Sequence, residues 1–96
     1  GEIPKNQYTK WFDEDKIKGM LAGRTRKSRD YLTIDGDRRK RLKAYLIDEK
    51  IPQRNRAELP LLAEEDHIVW VIGYRISEYY KITEETKTIL EVTVDG

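Results

Sequence analysis

The sequence predicts an α+β domain, one main helix packed on a small, mostly antiparallel sheet or sandwich. Three observations lead there. Only the stretch from Arg38 to Lys50 carries a helical apolar period, with Leu42, Tyr45 and Leu46 at i, i+3, i+4. The run Ile68-Val69-Trp70-Val71-Ile72 is continuous, apolar and rich in β-branched residues, the mark of a strand buried on both faces. Glycine and acidic turn signals then separate the apolar stretches that follow. At 96 residues the chain supports one domain with one modest core.

Residues 1–10 (GEIPKNQYTK) have no period and read as a tail or linker, with a short strand near Tyr8. Residues 11–96 form the single domain, with Trp11 and Phe12 as its first anchors. Asp13-Glu14-Asp15 before Lys16 suits a turn or one helical turn, acids at its N-terminal end. Met20 to Lys27 reads as a strand with Arg24 and Arg26 on one face. Tyr31, Leu32 and Ile34 make a second short strand, and Asp35-Gly36 a turn that leaves Asp37 to cap the helix. On a helix from Arg38, Arg39, Lys40, Lys43 and Lys50 fall within an arc of roughly 100° beside the apolar stripe. Ile51-Pro52 ends that helix, because a residue before proline avoids the helical region. Arg54 and Arg56 continue the positive surface, and Leu61-Leu62 opens a strand after Pro60. Glu64-Glu65-Asp66 forms a hairpin tip before the central strand, which Gly73 breaks. Tyr74 to Ile82 reads as extended with an irregularity and Glu84-Glu85-Thr86 as a turn. Thr88 to Val94 is the last strand, with Leu90, Val92 and Val94 on one face.

Composition excludes several classes of function. There is no cysteine, so no disulfide framework, iron–sulfur cluster or thiolate zinc site, and the single histidine, His67, allows no multi-histidine metal site. No Gly-rich phosphate loop and no nucleophile elbow is present, so no cofactor is expected here. His67 reads as a strand-edge residue rather than a general base. The longest apolar run is far short of the roughly 20 residues that span a bilayer, so no membrane partner and a cytoplasmic location are expected. The chain opens on Gly1 rather than methionine, as expected for a piece of a larger protein.

Charge is sharply divided. Residues 24–56 hold twelve basic and five acidic side chains, a local +7, whereas residues 57–96 hold three and nine, a local −6. Arginine forks match phosphate oxygens, and a dense basic block in a nearly neutral chain points to a local anionic partner, RNA before DNA. Two rivals stand beside that reading. One is a solvated face. The other is a protein-interaction or dimerisation domain in which the basic half of one copy meets the acidic half of another. Tyr31, Tyr45, Tyr74, Tyr79 and Tyr80 are able to stack on bases, but core and sheet packing is the plainer role.

Several stretches, in order, carry a resemblance: Arg24-Thr25-Arg26 with Asp30, Lys40-Arg41-Leu42-Lys43, Ile51-Pro52 with Arg56, Leu59-Pro60-Leu61, Ile68 to Gly73, and Arg75-Ile76-Ser77-Glu78. Together, from about Phe12 to Val92, the chain resembles the C-terminal domain of the bacterial tRNA(Ile)-lysidine synthetases. The resemblance implies a compact α+β domain like one in the phenylalanyl-tRNA synthetase β chain. It implies a non-catalytic module that positions the tRNA body near the acceptor stem. A separate N-terminal domain, carrying ATP and Mg, would join lysine to the anticodon wobble cytidine of a minor isoleucine tRNA. The implied tRNA contacts are Arg24, Arg26, Lys40, Arg41, Lys43, Arg54 and Arg56, with Arg39 added by its place in the basic band. Arg75 fits the motif but lies in the acidic part, where a structural salt bridge is the competing role. One departure stands out. The family usually places glycine before the aspartate of the first motif, and here Arg29 precedes Asp30. A positive φ at that position would strain an arginine or require a rebuilt turn.

Overall fold

The computed structural model describes residues 8–94. The described residues form eight strands, β1 (Thr9–Asp13), β2 (Leu21–Arg24), β3 (Tyr31–Asp35), β4 (Arg38–Arg41), β5 (Leu61–Glu64), β6 (His67–Val71), β7 (Arg75–Ile76) and β8 (Ile89–Thr93), and two short helices. These are α1 (Leu42–Asp48) and α2 (Gln53–Arg56). The larger sheet runs β2-β5-β6-β3-β4, with β7 also paired to β6. All of its pairings are antiparallel except β3 with β6. A second, two-stranded sheet pairs β1 with β8. The α+β architecture expected from the sequence is present, with more strand and less helix than the periodicity suggests.

The core has two layers because the larger sheet is covered on both faces. On one face α1 delivers Leu42, Tyr45 and Leu46 onto Leu32, Leu61, Ile68 and Val71. On the other, Phe12 of β1 and Val92 of β8 close over Val69, Trp70 and Tyr80. Every residue of β6 is buried, as a central strand requires. A bulge keeps both layers supplied. Leu62 pairs with Trp70 but Ala63 with Ile68, so Val69 is the extra residue. Val69 and Trp70 therefore face one layer while Ile68 and Val71 face the other.

Four expectations are corrected. The main helix starts at Leu42, not Arg38, because Gly36-Asp37 is a two-residue hairpin loop and Arg38–Arg41 returns as β4. Gly36 takes φ +47°, the positive value that such loops demand at their first residue. Asp37 therefore sits in a hairpin loop and caps no helix. The strand expected over Met20 to Lys27 is only Leu21–Arg24. Tyr74 to Ile82 is a turn, the two-residue β7 and a 3-10 turn over Glu78–Tyr80. Gly73, at φ +89°, breaks the central strand as expected. The strand expected near Tyr8 is β1, so Thr9 and Lys10 belong to the folded unit, where the Tyr8 carbonyl also accepts from the Val94 amide; residues 1–7 of the expected tail lie outside the described residues.

Helix α1 closes with a Schellman motif. The Ile51 amide donates to the Leu46 carbonyl and the Lys50 amide to that of Ile47. Lys50 holds the left-handed position at φ +58°, and Ile51 packs back into the core beside Leu46. The helix ends before Ile51-Pro52 is reached.

Candidate nucleic-acid interface

The basic surface is built on one internal ion pair. Arg24 closes a two-pronged bond on Asp30, Nη2 to Oδ1 at 2.8 Å and Nη1 to Oδ2 at 2.9 Å. It also donates to the carbonyls of Thr25 and Glu65. Asp30 is buried and accepts in addition from the Lys27 amide, while its carbonyl takes the first amide of α1, that of Leu42. The Asp30 bond holds the Arg24 guanidinium in its charged form more firmly than usual. Loop 25–29 is thereby pinned to the start of α1, with Arg26, Lys27 and Arg29 exposed on its outside. Arg29 lies outside the left-handed region, so the strain that a positive φ would impose there is absent.

Two shallow hollows follow. The first, about 380 Å³, is lined by Arg26, Lys27, Ser28, Arg41 and Lys43, with Asp30 and Leu42 at its floor. Four cations converge on it, and the carboxylate beneath is already neutralised by Arg24. The second, about 250 Å³, is lined by Arg29, Tyr31, Arg39, Lys40 and Arg41. The hollows share Arg41, so the positive surface is continuous from loop 25–29 across β4.

The strand assignment sets which side chains share a face. Thr33 pairs with Arg39, Leu32 with Lys40 and Tyr31 with Arg41. Arg39 and Arg41 thus point to one side and Lys40 to the other, toward α1, where it bonds Asp48. The single arc of Arg39, Lys40, Lys43 and Lys50 expected on a helix does not exist. On the Arg39 side, Tyr31 is held between two groups. His67 stacks on it at 4.6 Å between ring centroids, and the Arg39 guanidinium lies 4.6 Å from its ring centre. His67 is fixed through Nε2 to the hydroxyls of Thr33 (3.1 Å) and Ser77 (3.2 Å). Burial, and then the nearby Arg39 charge, push His67 down to about 4 against the opposing pull of Glu64, so the ring is neutral at pH 7.

The structure thus brings Arg26, Arg39, Lys40, Arg41 and Lys43 into one run of hollows; Arg24 turns to partners inside the chain, and Lys40 also bonds Asp48. Arg56 donates from Nε to the Ile51 carbonyl at 2.8 Å, and Arg54 is exposed; neither lines these hollows. Arg75 contacts Glu78 at 3.7 Å and the Ile34 carbonyl at 3.2 Å, the structural role expected for it. The expected contact set omits Lys27, Ser28, Arg29 and Tyr31, which also line the hollows. A period-two reading of Arg39 and Arg41 opposite Tyr31 and Thr33 would have found the shared face.

Residues 21–92 match the family model described as the TilS substrate C-terminal domain. The chain belongs to that family. It is 44% identical over 92 residues to the tRNA(Ile)-lysidine synthase of Caldanaerobacter subterraneus, which covers 95% of this chain and 20% of that protein. It is 42% identical over 93 residues to the same-named protein of Clostridium tetani, again 20% of its length. The chain therefore spans about one fifth of the curated relatives it matches. A solved crystal structure of a TilS C-terminal domain superposes with a TM-score of 0.66, 24% identity, and coverage of 90% of this chain and 72% of the other. That likeness establishes the fold the family member adopts. Among the described residues no helix is long and apolar enough to cross a membrane.

Proposed function

We propose that this chain is the tRNA-binding C-terminal module of a tRNA(Ile)-lysidine synthase. The observation that carries the reading is the unbroken basic run from Arg26 through Arg41 to Arg39 on a rigid support. Arg26, Arg41 and Lys43 meet phosphates directly, with Arg39 and Arg54 at the margins. Arg24, Lys40 and Arg56 act by holding loop 25–29, β4 and the α1–α2 link in place. Its mechanism is positioning. Phosphate contacts fix the register of the tRNA body and acceptor stem without reading sequence, so that a distant catalytic domain meets its nucleotide.

The ligation of lysine to the wobble cytidine belongs, in this reading, to an N-terminal domain that also holds ATP and Mg. The residues of this chain offer no Gly-rich loop for a nucleoside triphosphate, and no step of that chemistry is assigned to them. The same reading makes the domain kin to one in the phenylalanyl-tRNA synthetase β chain.

Charge reversal tests the assignment. Arg41→Glu with Lys43→Glu should weaken binding to isoleucine tRNA at least tenfold, measured by filter binding, with the melting temperature essentially unchanged. Unaltered affinity would show that the hollows are not the RNA face.

A further inference from the structure

A third cavity, about 730 Å³, adjoins the second hollow across the shared pair Tyr31 and Arg39. It occupies the part of the larger sheet's second face that Tyr31, Thr33 and Arg39 line, next to the layer closed by β1 and β8. Its character differs from the hollows. Lys16, Lys18 and Arg39 are matched by Asp37, Glu64, Glu65 and Asp66, so it is no trap for a free anion. Glu64 is committed: it accepts from the Tyr80 hydroxyl and from the Lys18 and Gly19 amides. Burial raises the Glu64 carboxyl, but those donors outweigh it and hold it below its ordinary value, so it stays charged and fixes this wall.

The remaining walls are flat and aromatic. The Arg39 guanidinium lies over the Tyr31 ring, which stacks on His67, itself hydrogen-bonded to Thr33 and Ser77. On the other side the half-exposed Tyr79 leans on His67 at 5.2 Å and stands edge-on to Tyr80 at 4.9 Å. Lys16 lies over Tyr79 with Nζ 5.1 Å from the ring centre. Nucleobases stack on aromatic rings and on guanidinium planes, and this cleft supplies both, already ordered.

We propose that this cleft receives an unpaired, amino-bearing nucleobase continuous with the RNA helix held by the basic hollows. The base stacks on the Arg39 plane, with Tyr79 as the facing wall. Asp37, Glu65 and Asp66 accept from its exocyclic amine, a donor that adenine and cytosine carry and uracil lacks. Lys16 turns from the Tyr79 face to the adjoining phosphate. The proposal rests on the RNA-binding reading above and adds a single-stranded component to it.

The test uses the 96-residue chain and three RNA stems of one sequence: blunt, with three unpaired adenosines, and with three unpaired uridines, each tail placed at either end in turn. The adenosine tail at one end should tighten binding roughly tenfold over the blunt stem, the uridine tail much less. It should also shift the imidazole resonance of His67, an unambiguous reporter because the chain has no other histidine. Tyr79→Leu should abolish the tail preference while leaving blunt-stem affinity unchanged, and Tyr79→Phe should retain it. Equal affinity for blunt and adenosine-tailed stems, with the blunt stem still bound, overturns the cleft and spares the hollows. Failure to bind any stem overturns both. The comparison of tails in the unmodified chain needs no variant to fold.

Discussion

Asp30 does several jobs at once. Its carboxylate binds Arg24 and the Lys27 amide, and its carbonyl starts α1. Breaking a buried ion pair from one side leaves an uncompensated charge. Arg24→Ala should therefore cost about 3 kcal/mol of stability in chemical denaturation. A purely RNA-contacting arginine would cost almost none. The charge count placed Arg24 among outward arginines, because a sequence shows the charge and not the acid that will neutralise it. His67 gives a second prediction at this scale. Its folded value of about 4 lies below its ordinary 6.5, so the unfolded chain takes up the proton first. Stability is then full above about pH 6.5, falls as pH drops toward 4, and levels off below. Between pH 7 and pH 5 the loss should be about 2 kcal/mol, read from urea midpoints. His67→Gln should flatten that part of the profile.

The elements divide by how local their causes are. β6, the acidic hairpin tip and the break at Gly73 were legible, because a β-branched apolar run between turn residues has no other outlet. The apolar stripe Leu42, Tyr45, Leu46 correctly located α1. Its start is not legible, because Arg38-Arg39-Lys40-Arg41 contains no apolar residue whose period separates strand from helix. Gly36 decides the matter by turning the chain into a hairpin, which reverses the relation between Arg39 and Lys40. The candidate site was legible only as a list of cations. Lys16, Lys18 and Tyr79 join Tyr31 through the packing of β3 against β6 and the 3-10 turn at Glu78–Tyr80, pairings set by long-range topology. The Schellman end of α1 yields a prediction here. Lys50 pays the cost of a left-handed backbone that glycine adopts freely. Lys50→Gly should raise stability by up to about 1 kcal/mol, seen as a higher melting temperature.

Across the whole molecule, a net charge of +1 conceals a block of +7. The fold gathers part of that block into two adjoining hollows rather than spreading it over the surface. Binding of this kind is dominated by counterion release and is strongly dependent on salt. Engagement of about four phosphates, matching the four cations of the first hollow, should weaken affinity about 150-fold between roughly 50 and 200 mM salt, on the slope known for duplex DNA. The most direct measurement is a titration of the chain into isoleucine tRNA across that range. A steep linear fall of log affinity with log salt, with a slope of about −3.6, is the predicted result. No binding even at about 50 mM, or binding indifferent to salt, would contradict an interface built from these arginines and lysines.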